Sequence, residues 1–550
     1  MTAARTISWP KDVRPPTGSY YRPSKWDQTF TSLSFDPQVH EKYAENIEEL
    51  KEEARSMLMA KEKTISDKLV LIETLERLGV AYNSDQEIEE QLEEILKFDS
   101  EEDFDLFITA LRFRLLRQHR HYVSCSVFDK FKGEDSKFKE TLSNDAKGLL
   151  SLHEAAHLRI HGEEILEEAV AFTTHNLNRM IQQLESPLQD QVKRALEQPL
   201  HRGNPRIETR YYISFYEKDN SKNDLLLKLA KLDFNYVQNA YKKDLCEVSR
   251  WWNELRQSLN VPYARNRVVE AYLWGTTFQF KPQYSYVRVG VAKSIQMLTI
   301  LDDTYDNYAT LEEADLFTEA VQRWNIDETH QLPYYMKIIY MFILRVYEDY
   351  EREATQHGNL FSIRQTNPKV KDVCKAYNKE LKWFMGVQMP IFEDYIENST
   401  ITSCLYAICL GTIPHMKSVS KETIVWLMSQ PKISKASTKV CRYLDDLSSY
   451  ERESKQGQML TGVDFYMKQH GVSKQETADK FIELAEEEWK DLNTEWILSK
   501  NSIPKDMVEQ LVLGYARSSE IFYRSCQDGF SKTETVAPHI AAIFVDPIII

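Results

Sequence analysis

The chain has 550 residues, of which 42% are hydrophobic and 28% charged, and its net charge is −15. This length exceeds what one ordinary core can serve, and counts of only 16 Gly and 18 Pro exclude a disordered or collagen-like chain. The negative charge disfavours nucleic acid or an anionic membrane as a partner. The sequence lacks the apolar run of about 18 residues that a membrane span needs. Its seven cysteines, without a CxxC pair, fit a reducing compartment.

Residues 1–35 are predicted to form an extended arm. Pro10, Pro15, Pro16 and Pro23 interrupt any long helix in this region. The opening residues have neither the apolar core of a secretory signal nor a long Ser- and Arg-rich plastid leader. The sequence therefore predicts a cytosolic protein that begins with a non-helical arm.

Residues 36–220 are predicted to form a helical domain, because apolar residues recur at helical spacing, as in Leu69–Leu78. His153, His157 and His161 repeat every four residues and superficially resemble a zinc-binding helix. No fourth ligand is in view, and the apolar residues between them favour a packed helix face over a zinc site.

The polar stretch Glu217–Asp224 contains no apolar residue and is the best candidate for a linker, which places the domain boundary at 220/221. From Leu225 to the end the pattern is again helical, giving a second domain of residues 221–550. No strand-type alternation is long enough to build a sheet. The sequence therefore predicts an all-α protein of two helical domains, and such uniform helicity is unusual among globular proteins.

Three carboxylates crowd into Leu301–Asp306, directly after a largely apolar run. On a helix, Asp302 and Asp306 share one face, and Asp303 is rotated away by one residue. Two like charges ~4 Å apart repel by roughly 4 kcal/mol at a dielectric near ~20, so carboxylates lining a cavity require cations. Ligands that are all oxygen suit Mg²⁺. A solvated acidic helix end is the alternative interpretation.

A second stripe of oxygen ligands lies further along the chain. Asp445, Ser449 and Glu453 fall at i, i+4 and i+8 on one helix face. Surface ion pairs rarely place a hydroxyl between two carboxylates. The three side chains together are a suitable set of oxygen ligands for a hard cation. Two acidic stripes on separate helices can bind metal ions from opposite walls.

With these two motifs the sequence resembles the plant terpene synthases, and among them the cytosolic sesquiterpene synthases. The resemblance covers nearly the whole chain. The matching segments are Arg265-Asn266-Arg267 for the RxR motif, Leu301–Asp306 for the DDxxD motif, Asp445, Ser449 and Glu453 for the (N/D)DxxSxxxE motif, and Tyr523, Asp528 and Ala537–Ile540 for the C-terminal region.

The resemblance implies a C-terminal class I terpenoid synthase α-bundle and an N-terminal relict helical domain. It also implies a carbon–oxygen lyase that ionises farnesyl diphosphate, cyclises the carbocation, quenches it and releases diphosphate. The expected partner is this small substrate, and the expected state is a monomer. The expected cofactors are three Mg²⁺, for which Mn²⁺ can substitute, held by Asp302, Asp303, Asp306, Asp445, Ser449 and Glu453.

The resemblance further assigns roles around the substrate. Trp274 stands where the family has an active-site aromatic residue, whose face stabilises positive charge. Tyr523 and Asp528 resemble a pair that lines the same cavity. Arginine presents a fixed, always-charged fork that suits a departing diphosphate. The expected diphosphate-binding residues are Arg265, Arg267, Arg442 and Lys455.

Several segments depart from the family pattern or carry only a weak match. Arg14–Trp26 is similar to an N-terminal motif that caps the site, but it has one Arg instead of a tandem pair, so an ordinary tether is the alternative. Phe530 replaces a tyrosine of some relatives. Leu106 follows Asp103-Phe104-Asp105, so the DxDD motif of class II cyclases is absent and the N-terminal domain is expected to be catalytically silent. In Ile401–Cys404 the resemblance implies a helix kink.

Three other functions stay open at this point. A mono- or diterpene synthase would use the same motifs on a prenyl diphosphate of another length. A prenyl-chain elongating transferase would need a second DDxxD, which Asp445–Ser449 does not supply. A non-catalytic helical scaffold would show no magnesium dependence, and Asp302→Ala would cause only small surface effects.

Overall fold

The structure is a computed structural model that describes residues 21–26, 28–32, 35–97, 104–356, 358, 360–387, 389–413, 419–456, 460–499, 503–524 and 527–550. The predicted all-α class is confirmed. Within these ranges there is no β-strand, and one isolated bridge pairs Lys132 with Phe138.

The α-helices are numbered in chain order. They are α1 (Pro37–Leu58), α2 (Ile65–Arg77), α3 (Asp85–Lys97), α4 (Leu106–Gln118), α5 (Ala146–Ala156), α6 (Glu164–Met180), α7 (Leu188–Glu197), α8 (Pro205–Glu217), α9 (Asp224–Leu259), α10 (Val268–Phe278), α11 (Ser285–Asn307), α12 (Leu311–Arg323), α13 (Tyr334–Gln356), α14 (Leu360–Phe384), α15 (Phe392–Thr402), α16 (Leu405–Ile408), α17 (Lys421–Met428), α18 (Lys432–Gln456), α19 (Gly462–His470), α20 (Lys474–Leu498), α21 (Lys505–Val508), α22 (Gly514–Tyr523) and α23 (Ala537–Ile540).

Short helices of other kinds connect or extend these. The 3₁₀ segments are Ala81–Asn83, Cys125–Phe131, Glu140–Asn144, Ile181–Gln183, Leu200–Arg202, Pro282–Tyr284, Ile326–Gln331 and Cys409–Gly411, and the π-helical turns are Glu509–Leu513 and Ala541–Val545.

The chain folds into two compact units. The smaller unit contains the described residues within 35–240, 490–501 and 541–550, and the larger unit contains those within 1–34, 241–489 and 502–540. The boundary falls inside α9, and the C-terminal tail belongs to the smaller unit. The bounds 36–220 and 221–550 therefore stay a prediction about folding domains, because sequence order alone does not reveal that a late segment packs with an early one.

Local sequence signals explain where helices of the smaller unit begin. Asp36 and Asp105 accept backbone N–H bonds as N-caps of α1 and α4, and Thr64 forms a capping box with Asp67 in α2. Asp105 therefore has a structural role here, and Asp103 lies outside the described residues.

The histidines at 153, 157 and 161 make the packing contacts that the apolar residues between them predict. α5 ends at Ala156, so His161 lies beyond the helix and binds Asp491 at 2.6 Å. His153 contacts Thr173 at 3.0 Å and lies next to His157 in the buried interior of the smaller unit. Among the residues described, no three His, Cys, Asp or Glu side chains stand close enough together to hold a metal ion without further ligands.

Close helix contacts order the core of the larger unit. α11 is buried along most of its length, and Gly290 lets it approach the turn Cys409–Gly411. A Cβ at Gly290 would lie 1.7 Å from the carbonyl oxygen of Gly411, so only glycine fits there. α10, α11, α14, α15, α16, α18 and α22 supply most of the walls of the cavity described below.

No helix among the described residues is both long enough and apolar enough to cross a lipid bilayer.

Candidate active site

One cavity in the larger unit gathers most of the predicted site residues. Its empty space is about 1160 Å³, including the open mouth. The charged residues that line it are Asp302, Asp306, Glu380, Asp445, Asp446, Glu453, Asp528, Arg265, Arg442 and Arg452. The aromatic residues that line it are Tyr21, Trp274, Tyr377, Tyr395, Tyr515, Tyr523 and Phe530.

Four of the predicted site residues are not among the described side chains that line this cavity. Asp303, Arg267 and Ser449 are buried but lie outside this lining, and the side chain of Lys455 is outside the described part of the chain. The predicted roles of these four residues in binding metal or diphosphate stay predictions.

The first acidic wall is the C-terminal part of α11. Asp302 and Asp306 line the cavity, as their shared face predicts. Asp303 is fully buried and binds Arg265 instead, accepting its backbone N–H at 2.6 Å and pairing with its Nε at 3.0 Å. Asn307 donates a further hydrogen bond to Asp303 at 3.1 Å. Asp303 thus fixes the position of Arg265, whose guanidinium also pairs with Asp302.

The second acidic wall is α18. Asp445 and Glu453 line the cavity, and Asp445 pairs with Arg442 one turn earlier. Asp446 also lies on the lining, where it accepts hydrogen bonds from the hydroxyl of Tyr395 at 3.0 Å and from the backbone of Gly462 at 2.9 Å. The carboxylate of Asp446 therefore connects α18 to α15 and α19.

Burial and mutual repulsion disturb these carboxyl groups. Burial raises the pKa of Asp306 well above its usual range, and the charges of Asp302 and Glu380 raise it further. Burial also raises the pKa of Asp445 to about 7, although Arg442 lowers it, and raises the pKa of Glu380 to about 7. Carboxyl groups in this situation are ones that a bound cation would ionise.

The donor chemistry of the two walls fits Mg²⁺, which prefers oxygen ligands and usually shares its coordination sphere with waters and phosphate. Asp302 and Asp306 on α11 and Asp445 and Glu453 on α18 present only oxygen to the cavity. A phosphate ligand could supply the oxygens that these separated side chains leave open.

Arg267 is held away from the cavity by backbone groups. Its Nε donates to the carbonyl of Phe530 at 2.7 Å, and its Nη2 donates to the carbonyls of Arg22 at 3.0 Å and Ser531 at 3.2 Å. Gln296 accepts its backbone N–H at 2.8 Å. Arg267 thus connects the N-terminal arm and the C-terminal loop to α11.

Arg452 is a cavity cation at a position that neither sequence motif specifies. Its Nε donates to Asp528 at 3.0 Å, and its Nη2 donates to Glu453 at 3.1 Å. The sequence did contain a signal, because Arg452 follows Asp445 by seven residues and so returns to the same helix face. Burial would raise the pKa of Asp528, but Arg452 and the N–H of Ser531 hold it below its usual range.

Tyr21, from the N-terminal arm, lies between two guanidinium groups. Arg265 lies 4.7 Å and Arg452 lies 5.4 Å from the centre of its ring. Its hydroxyl accepts a hydrogen bond from Asn307 at 3.4 Å. Tyr21 thus contacts residues of both acidic walls. The Arg14 part of the proposed cap lies outside the described residues, so the cap stays a prediction.

Trp274 belongs to a cluster of aromatic rings in the cavity wall. Its ring centre lies 5.4 Å from Tyr515, 5.3 Å from Phe522 and 6.3 Å from Tyr523. Burial raises the pKa of Tyr523 well above its usual range, so its hydroxyl stays protonated. These rings give this part of the wall an electron-rich surface.

Known protein families and curated relatives match most of this chain. Residues 25–196 match the family described as "Terpene synthase, N-terminal domain", and residues 253–491 match "Terpene synthase family, metal binding domain". The chain is 50% identical over 549 residues to γ-cadinene synthase of Ocimum basilicum, which covers 99% of this chain and 100% of that protein. It is 48% identical over 540 residues to γ-curcumene synthase of Pogostemon cablin, which covers 98% of each.

Solved structures share the fold. The chain superimposes on limonene synthase with 2-fluorolinalyl diphosphate with a TM-score of 0.91 and 30% identity, covering 98% of this chain and 100% of that one. Isoprene synthase from grey poplar (Populus x canescens), in complex with three Mg²⁺ ions and dimethylallyl-S-thiolodiphosphate, gives a TM-score of 0.86 and 31% identity, covering 92% and 97%.

Proposed function

The chain belongs to the terpene synthase family, and on that basis we propose that it is a sesquiterpene synthase, a lyase that ionises farnesyl diphosphate, cyclises the cation and releases diphosphate. The observation that carries this proposal is one cavity that combines paired acidic walls, arginines and aromatic rings. Relatives that are named for sesquiterpene products support the fifteen-carbon substrate.

The residues of the two motifs are proposed to hold three Mg²⁺ ions, for which Mn²⁺ can substitute. Bound Mg²⁺ would neutralise the charge of the diphosphate and make it a better leaving group. The ligands in this proposal are Asp302, Asp303, Asp306, Asp445, Ser449 and Glu453.

The arginines receive the leaving group. When the substrate ionises, the bond between its C1 and the diphosphate oxygen breaks, and the electron pair stays with the oxygen. Arg265, Arg442 and Arg452 line the same cavity and carry charge at every relevant pH, so their N–H groups bind the diphosphate and prevent recapture of the cation. Each of the three is paired with a carboxylate, which holds it in place before substrate arrives.

Arg267 is proposed to act as a positioning residue. Since it binds the backbone of the arm and of the C-terminal loop, it holds the loop that carries Phe530 and Ser531 against Arg265. Lys455 is proposed to assist in diphosphate binding from the end of α18.

The aromatic cluster protects and guides the cation. A desolvated aromatic face stabilises a cation by about 2 kcal/mol or more, and Trp274 is buried within such a cluster. Tyr523 and Asp528 line the cavity beside it. Phe530 has no hydroxyl, so a proton relay through this position is not part of the proposal.

The test is to incubate the purified protein with farnesyl diphosphate, with and without Mg²⁺, and to analyse extracts by gas chromatography with mass detection. Geranyl and geranylgeranyl diphosphate run in parallel. We expect a magnesium-dependent hydrocarbon or alcohol of fifteen carbons. A larger yield from one of the other substrates would assign a mono- or diterpene synthase. A folded protein that yields nothing from any of them would be a scaffold.

We further propose a cytosolic location and a monomeric state. Seven cysteines without a CxxC pair favour a reducing compartment. Size-exclusion chromatography with light scattering tests the monomer, and a fluorescent fusion in plant cells tests the location.

A further inference from the structure

The helix break between α15 and α16 forms part of the cavity wall. α15 ends at Thr402, and Cys404 adopts a left-handed backbone conformation with φ of 67° before α16 begins at Leu405. Residues 402–404 all line the cavity. A non-glycine residue rarely adopts this conformation, so the surrounding structure must hold it in place.

The end of a helix leaves backbone carbonyl groups without helical partners. Nearby groups satisfy three of them. Cys404 donates its backbone N–H to Ile401 at 3.0 Å and its thiol to Thr402 at 3.1 Å. Ser403 donates its hydroxyl to the carbonyl of Thr400 at 2.7 Å. The carbonyl of Ser403 itself receives its partner from a different helix.

That partner is Tyr515, the second residue of α22. Its hydroxyl donates to the carbonyl of Ser403 and lies 3.2 Å from the thiol of Cys441 on α18. Its ring packs against Trp274, with centres 5.4 Å apart and planes tilted by 57°. One buried side chain therefore connects the break to two other helices and also presents its ring to the cavity.

We propose that Tyr515 is a specificity-determining residue, which selects among products by holding the Ser403 carbonyl and the helix break in one position. This inference rests on the proposed function. A carbonyl oxygen attracts a nearby cation, and the hydrogen bond that Tyr515 donates fixes the direction of the carbonyl and weakens that attraction. Without the hydroxyl, the carbonyl is free to bind a cation or a water molecule, and the break loses its connection to α22.

A second tyrosine supports the same break more weakly. The hydroxyl of Tyr377 on α14 lies 3.2 Å from the thiol of Cys404. Sulfur is a weak hydrogen-bond partner, so this contact holds the break less firmly than the oxygen partner of Tyr515 does.

Tyr515→Phe is the direct test, because it removes the hydroxyl and keeps the ring. We expect the ratio of the two main products to change by roughly two- to tenfold, which is the effect of one net hydrogen bond on a branching ratio. We also expect a larger share of alcohol, with ¹⁸O from labelled water. The KM for farnesyl diphosphate should stay near the wild-type value, because the partners of the hydroxyl are the Ser403 carbonyl and the Cys441 thiol, and it bonds to no arginine or carboxylate of the cavity.

Tyr340→Phe is the matched control. The hydroxyl of Tyr340 donates to the carbonyl of Ala320 at 3.2 Å, and the residue is buried outside the cavity lining. The Tyr340→Phe variant therefore loses a comparable buried hydrogen bond. Its thermal unfolding midpoint should fall about as much as that of Tyr515→Phe. Its product ratio should match the wild type.

The outcomes are separable. An active wild type with an unchanged product ratio in Tyr515→Phe would overturn this inference alone. If Tyr515→Phe does not fold, Tyr377→Phe replaces it, with a smaller change in the same products expected and an unchanged ratio counting against the inference. A folded wild type that converts no prenyl diphosphate would overturn the proposed function and this inference together.

Discussion

Replacing Arg452 by methionine tests a residue at a position that neither metal motif specifies. Its guanidinium contacts Asp528 at 3.0 Å and Glu453 at 3.1 Å, and its side chain is 11% exposed. Removing one partner of a buried ion pair costs about 3–5 kcal/mol, because the other charge stays buried without a counterion. Since some solvent reaches Arg452, we expect a cost at the lower end of this range. Arg452→Met should lower the free energy of unfolding by about 3 kcal/mol.

Arg517→Met is the matched control for stability. The Arg517 side chain is also 11% exposed, but its partner Glu509 is 43% exposed at 3.2 Å, and neither residue lines the cavity. Pairs that water can reach contribute about 0–1 kcal/mol. Urea denaturation of both variants should therefore show a clearly larger loss for Arg452→Met.

Diphosphate binding separates a functional role of Arg452 from a structural one. A hydrogen bond to a charged group contributes about 1.5–3 kcal/mol, which corresponds to about a ten- to hundredfold change in affinity. Inhibition by inorganic diphosphate at saturating Mg²⁺ should weaken by that factor in Arg452→Met and not in Arg517→Met. Equal inhibition constants and equal denaturation midpoints in the two variants would refute the reasoning.

The pH dependence of the same variant follows from Asp528. In the wild type the folded-state pKa of Asp528 is below its unfolded value, so its stabilising contribution is present above the unfolded pKa and is lost as the pH falls through the folded pKa. Arg452 is a main cause of that low pKa. Without Arg452 this contribution is absent, and protonation relieves the unpaired charge of Asp528, so the stability deficit of Arg452→Met should be largest near neutral pH and should shrink as the pH falls through the pKa of Asp528.

Three further predictions concern the acidic walls and Arg265. Asp302→Ala and Glu453→Ala should each abolish turnover while circular dichroism stays unchanged, and normal turnover by either variant would contradict the metal assignment. Arg265→Ala should still bind Mg²⁺ by calorimetry yet ionise substrate slowly or release more alcohol, so an unchanged product profile with unchanged kcat would count against its role. Because burial raises the pKa of Asp445 to about 7 and metal requires the ionised carboxylate, the Mg²⁺ concentration for half-maximal activity should rise as the pH falls from about 8 to about 6; a constant value would contradict this ligand.

Residues placed by helix periodicity could be predicted from the sequence. The spacing in Leu301–Asp306 correctly put Asp302 and Asp306 on one face and turned Asp303 away. The same rule placed Arg442 next to Asp445 on α18. These predictions needed only the regular geometry of one helix.

Residues that reach the cavity from other segments could not be predicted in this way. Tyr21 lies in an arm without periodic structure, and Glu380 lies on α14 outside any acidic motif. Tyr515 meets Ser403 across 112 positions of sequence. Such contacts depend on how helices pack, and a single sequence contains no direct signal for them.

The charge of the cavity explains why its metal ligands and arginines have to act together. Among the described residues, seven carboxylates and three guanidiniums line it, which with all groups ionised gives four net negative charges. A diphosphate would be repelled from such a site, where burial, and then the neighbouring carboxylates, raise the pKa values of Asp306 and Asp445. Three divalent cations would add six positive charges and make the cavity attractive to an anion. The protein as a whole also carries a charge of −15, which does not help an anion to bind. Substrate affinity should therefore rise with the Mg²⁺ concentration more steeply than it would if one ion bound.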